Sequence, residues 1–155
     1  MLGIAAMLSS CSWGRDSRSA AATQQAAVHA ARDAMKAAAN AIGGTRLEAG
    51  GRWYNCSGGI GHQYVGGGVM TAPKGDVPRQ LNAIRSAMVG AGFTDVTQLE
   101  GIVGVERDDI TLTLKYHRAY QGWPVSFRSK CHIYRGADAS RVKSSAYTTL
   151  EGLGP

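Results

Sequence analysis

What this chain lacks narrows its chemistry before any residue is given a role. It has no run of five or more basic residues, although Lys and Arg outnumber Asp and Glu by 17 to 11 and the net charge is +6. Arg79 and Arg85 sit in one segment, and Arg118, Arg128, Lys130 and Arg135 in another. Charge spread this thinly reads as a solvated basic face and argues against a nucleic-acid-binding arm. No Cys-x-x-Cys occurs, and the four histidines (His29, His62, His117, His132) form no pair at metal-ligand spacing, so no metal site is expected. Gly-x-Ser-x-Gly is absent, which removes the commonest serine-nucleophile turn. The glycine clusters at 58–61 and 66–68 are followed by no Lys-Ser/Thr and fit neither phosphate-loop nor dinucleotide spacing; they read as turn and strand-edge glycine. Glu100, Glu106, Asp108 and Asp109 form the one acidic cluster, placed where turns are expected. An envelope hydrolase built on a carboxylate pair therefore stands as a distant alternative. No catalytic residue and no cofactor is assigned, and the chain is expected not to be an enzyme.

Charge is also missing from the first ten residues, and cysteine occurs an odd number of times, three. The two facts meet at Cys11. Met1 to Leu8 is an uncharged apolar stretch too short to span a bilayer but suited to the hydrophobic region of a secretory signal peptide. The basic residues that normally precede such a region are missing, which points to a leader beginning further upstream. Leu8-Ser9-Ser10-Cys11 then resembles the bacterial lipobox, in which the cysteine receives diacylglycerol before the leader is cut off in front of it. Each buried CH₂ contributes about 0.8 kcal/mol, so a diacylated Cys11 would hold the protein firmly to a membrane.

Beyond Cys11, residues 12–22 are small and polar and read as a tether between lipid and domain. From Thr23 to Ile42 alanine dominates, and Val28, Ala31, Met35, Ala38 and Ile42 recur at steps of three and four, which predicts one narrow apolar helical face ending at Gly43-Gly44. Arg52 to Ser57 and His62 to Met70 predict a strand hairpin. Asp76 is placed to cap a second helix with Pro78 in its first turn and a stripe of Leu81, Ile84, Met88 and Ala91. Ile110, Leu112, Leu114 and Tyr116 alternate against polar neighbours, as do Val125, Phe127, Ser129, Cys131 and Ile133 after a turn around residues 121–124. These predict an antiparallel pair, with Val96 to Val105 as one further strand and with His117 and His132 as cross-strand neighbours on the polar face. The expected fold is thus α+β: an antiparallel sheet of about four to five strands with two helices packed on one face. The expected divisions are a leader at 1–10, the lipidated cysteine and tether at 11–22, one domain at 23–135 and a loosely ordered tail at 136–155.

Cys56 falls on a predicted strand and Cys131 on the core side of another, so in an oxidising compartment the two are expected to form a disulfide. Closing a loop of about 75 residues would stabilise the fold by about 4 kcal/mol in the chain-entropy model. That bond would also silence both thiols as nucleophiles.

Taken in order, the lipobox, the alanine-rich helix, Cys56, the helix over 84–93 running into Thr94-Asp95-Val96-Thr97, the strand 109–116 and the late Cys131 resemble the mycobacterial LppA-type lipoproteins. The resemblance covers most of residues 23–135. It implies a small α+β domain on a lipid anchor at the outer face of a cell membrane, in a family without an established activity. Similar lipoproteins occur in actinobacterial phages and prophages, where the implied task is superinfection exclusion, the blocking of a second phage at the envelope. The leading expectation is an envelope lipoprotein that binds a protein or anionic envelope component, with no nucleic acid and no metal among its partners. It predicts a continuous basic or aromatic patch on the open face of the sheet.

Overall fold

The computed structural model describes residues 18–154, so the leader, Cys11 and the greater part of the tether lie outside the described residues. The alanine-rich segment forms α1 (Ala20–Ile42), entering the stretch read as tether. Ser19 caps it by accepting the Ala22 amide at 3.1 Å, and Gly43, at φ 71°, closes it in the left-handed conformation that a side chain disfavours. The buried face is centred on Ala27, Ala31, Ala34 and Ala38, while Val28 and Ile42, expected at its centre, lie half-buried at its margin. Alanine has the smallest side chain that still favours a helix, so this face brings the backbone closest to the sheet.

Among the described residues seven strands form one antiparallel sheet: β1 (Thr45–Asn55), β2 (His62–Thr71), β3 (Thr94–Asp95), β4 (Ile102–Arg107), β5 (Ile110–Lys115), β6 (Gly122–Ser129) and β7 (Thr148–Thr149), ordered β3-β4-β5-β6-β2-β1-β7. The α+β class and the helices on one face stand, but four to five strands understated the sheet. The two additions, β3 and β7, are edge strands of two residues each, too short for any alternation to register. β1 also starts seven residues earlier than expected, because Ala49-Gly50-Gly51 carries no polar–apolar alternation.

Helix α2 (Val77–Gly90) begins as its sequence predicts, with Asp76 accepting the Arg79 amide at 2.9 Å and Pro78 in the first turn. Leu81, Ile84 and Met88 are buried; Ala91 lies past the end and is exposed. Phe93 is buried in its place, under the Arg107 guanidinium. Both long helices cover the same face of the sheet. Beneath them, Met35, Met70, Ile84, Met88, Trp123 and Phe127 are closed off from water. An aromatic run of Tyr134, Trp53, Tyr64 and Phe127, with ring centroids 5.2, 5.4 and 6.5 Å apart, extends the core toward the start of α1. Large rings fit here because neighbours on the same face are glycine: Phe127 lies over its strand partner Gly66, and Tyr64 over Gly51, diagonally across on β1.

The segment expected to be a loose tail holds α3 (Ala137–Val142) and β7, and its Val142, Leu150 and Leu153 are buried. Arg32 donates from Nε to the Glu151 carbonyl at 3.0 Å, fastening it to α1. Those three apolar residues have no common period, which hid their burial from the sequence.

Cys56 and Cys131 are joined as expected, but Cys131 is not on the core side of a strand. β6 stops at Ser129, whose Oγ accepts the Tyr64 amide at 2.9 Å and replaces the next rung of the ladder. Past that point Cys131 and Ile133 turn outward, while Tyr134 packs on Trp53.

Candidate sheet-face binding site

Because every residue directly opposite another in an antiparallel pair shares its face, the register lays out the uncovered side of the sheet as rows. One row runs Arg52, Val65, Arg128, Thr111, Glu106, Thr94. The next runs Thr149, Gly50, Gly67, Ser126, Thr113, Gly104 and contains no side chain larger than threonine. Beyond it lie Glu48, Val69 and Pro124, with Ile102 paired to Lys115. With strands about 4.8 Å apart, the small-residue row spans about 24 Å, and its middle, Gly67, Ser126 and Thr113, is the open floor.

Both ends of that floor are walled. At the β1 end, the Tyr147 ring occupies the space a side chain on Gly50 would need. At the β4 end, Val96 and Thr97 lie over Gly104; the Val96 amide donates to the Gly104 carbonyl at 2.9 Å, and Thr97 Oγ1 accepts the Gly104 amide at 3.1 Å. The Val96–Leu99 loop, the exposed Leu99, Ile102 and the Arg128 side chain enclose a cavity of about 450 Å³ above Thr111 and Thr113. Along the rim, Arg52 donates from Nε to the Tyr54 hydroxyl at 2.6 Å and stacks on its ring at 4.6 Å, which fixes its guanidinium on this face. A trough of this kind admits a ligand laid flat against backbone, with guanidinium donors at its edge for carboxylate or phosphate.

The perturbed ionisable groups lie beside this floor, not in it. Asp109 is held below its ordinary 3.8 chiefly by the hydrogen bond from Lys130 Nζ, at 2.5 Å, and then by the nearby Lys130, Arg18 and His132 charges. Asp95 is lowered by hydrogen bonds from the Thr97 hydroxyl and amide and by Arg85. Tyr64 is raised by burial in the core.

Other sequence candidates separate in space. Glu100 precedes β4 while Asp108 and Asp109 follow it, so the acidic cluster is split between the two ends of a six-residue strand. His117 and His132 are not neighbours: His132 forms a bridge with His62, and His117 stacks on Tyr120 with centroids 4.1 Å apart. Among the described residues no cluster of metal-ligating side chains occurs, and no helix is long and apolar enough to cross a membrane. Of the strand and turn aromatics, Trp53, Tyr64 and Trp123 belong to the core, and Tyr54 and Tyr120 are exposed. The trough walls at Tyr147 and Leu99 had no signal in the sequence, since each stands in a segment without periodicity. No protein-family model, no curated protein and no solved structure matches the chain.

Proposed function

We propose that this chain is a secreted lipoprotein, acylated on Cys11 and held on the outer face of a cell membrane, that works by binding an anionic or protein component of the envelope in the trough on its open sheet face. The observation that carries the binding reading is the row of glycine, serine and threonine across six strands, rimmed by Arg52 and Arg128 and left uncovered by either long helix. The Cys56–Cys131 bond supports export, because such bonds persist in oxidising compartments. It also leaves Cys11 as the unmatched thiol, as in the LppA-type lipoproteins that the sequence resembles.

Metabolic labelling with a fatty-acid probe tests the anchor. Wild type is expected to be labelled and retained in the membrane fraction, and Cys11→Ala to lose both; a labelled Cys11→Ala chain refutes acylation there. Retention of the purified chain on isolated cell envelopes tests the trough. Hydrogen bonds to charged groups contribute about 1.5–3 kcal/mol each, so Arg52→Glu with Arg128→Glu is expected to weaken retention by about tenfold or more. Unchanged retention removes the trough as the binding surface.

A further inference from the structure

One pole of the sheet gathers features that the trough does not use. The segment leading back to Cys11 departs there: Arg18 donates from Nη1 to the Asp108 carbonyl at 2.8 Å, in the turn between β4 and β5. Next to it Lys130 pairs with Asp109, and Asp109 lies within Coulombic range of Arg18 and His132. The His62–His132 bridge and the Cys56–Cys131 bond tie the β1–β2 turn to the segment after β6 at the same pole. Each of these two tied segments carries an isoleucine that the other described residues leave largely exposed, Ile60 at 73% and Ile133 at 66%. Both lie within two residues of the bridge, on backbone held by the hydrogen bonds of His62 and His132 with each other at 2.8 and 3.0 Å.

From Cys11 to Arg18 are seven residue steps, a reach of about 24 Å when fully extended. Helix α1, starting at this pole, is about 34 Å long, so the opposite pole lies beyond the tether's reach. We infer that the disulfide pole is a membrane-docking surface, with Ile60 and Ile133 seated in the headgroup region of the bilayer. The inference rests on the anchored reading proposed above. It orients the domain with its strands standing off the membrane and the trough open sideways.

The test supplies the anchor chemically, so that its result does not depend on acylation in the cell. The full chain, with Cys11 outside the disulfide, is coupled through that thiol to a maleimide lipid in vesicles of phosphatidylcholine and phosphatidylglycerol with brominated acyl chains. A Trp13→Phe parent leaves Trp53 and Trp123 as a buried background. Ile60→Trp and Ile133→Trp are added singly, with Tyr120→Trp, at an exposed position in the turn before β6, as the opposite-pole control. Residues seated about 5–10 Å into the headgroup boundary lie within reach of acyl-chain bromines, so emission from both isoleucine positions is expected to fall at least twofold and shift to the blue, with no change at 120. Absence of quenching at 60 and 133, or equal quenching at all three positions, overturns the inference. So does self-association through the isoleucines without quenching. Failure of fatty-acid labelling in cells would instead count against the anchor reading alone.

Discussion

Three consecutive glycines, Gly66, Gly67 and Gly68, provide a test of the register on which the trough depends. In β2 they alternate faces, Gly66 and Gly68 toward the helices and Gly67 toward the open side. A Cβ on Gly66 would run into Phe127 Cζ and the Gly50 carbonyl oxygen; one on Gly68 would meet the Glu48 carbonyl oxygen, and Ala49 Cβ at 2.7 Å. Backbone is among the obstacles in both cases, so rotamer changes alone give no relief. Overpacking costs about 1–3 kcal/mol, and these two sites belong at the upper end, near 3. At 67 the nearest atom is the Val125 carbonyl oxygen at 3.3 Å, a contact that a shift of a few tenths of an ångström relieves. Replacing that glycine also removes about 0.4–1 kcal/mol of unfolded-chain entropy, so the net change is expected within about 0.5 kcal/mol of zero. For a chain of this size each kcal/mol moves Tm by about 2–4 °C, so Gly66→Ala and Gly68→Ala should each lower Tm by about 6–12 °C and Gly67→Ala by no more than about 2 °C. Thermal and urea unfolding followed by circular dichroism, with the disulfide intact, measure all three. If Gly67→Ala is the most damaging, or all three cost the same, the register is shifted by one residue and the small-residue row faces the helices.

Other expectations concern the bond, the charges and the alanine face. Opening the Cys56–Cys131 bond, which spans 75 residues, by Cys56→Ser with Cys131→Ser should cost about 4 kcal/mol on the chain-entropy model and lower the urea midpoint accordingly; an unmoved midpoint refutes the constraint. The lowered pKa of Asp109 means that its ionised form is favoured in the folded state, so its contribution is complete above the ordinary 3.8 and fades as the pH falls through the folded value. The stability gap between wild type and Asp109→Asn should therefore shrink on acidification below that value, and a widening gap contradicts the Lys130 pairing. Ala31→Leu, at a fully buried position, should destabilise by about 1–3 kcal/mol, whereas Ala21→Leu, exposed on the same helix, should change stability by less than about 0.5 kcal/mol. Equal effects would mean that α1 does not bury its alanine face.

The elements that the sequence made legible share one property, a local signal repeated often enough to be counted. The capping residue Asp76 and the stripe Leu81, Ile84, Met88 located α2; the alternation through Ile110, Leu112 and Leu114 located β5; two cysteines beside an apparent export signal predicted their own pairing. The lipobox likeness at Cys11 is equally local, and it concerns residues outside those the structure describes. Misreadings arose where a long-range contact overrode the local pattern. The apolar alternation of β6 ran on to Cys131 and Ile133 in the sequence, but the Ser129 side chain takes the next ladder bond and turns them outward.

By itself, then, the sequence determined the two long helices and the longer strands, since those follow from the period of apolar residues and from caps a few residues away, while the short α3, β3 and β7 carried no such signal. Tertiary structure alone decided the trough. Its small-residue row brings together Thr149, Gly50, Gly67, Ser126, Thr113 and Gly104 from six strands, and its end wall is a tyrosine from a segment with no pattern at all. A glycine carries no mark of which face it lies on or which ring will cover it, because that depends on strand order and register, and these are set by packing between residues far apart in the chain.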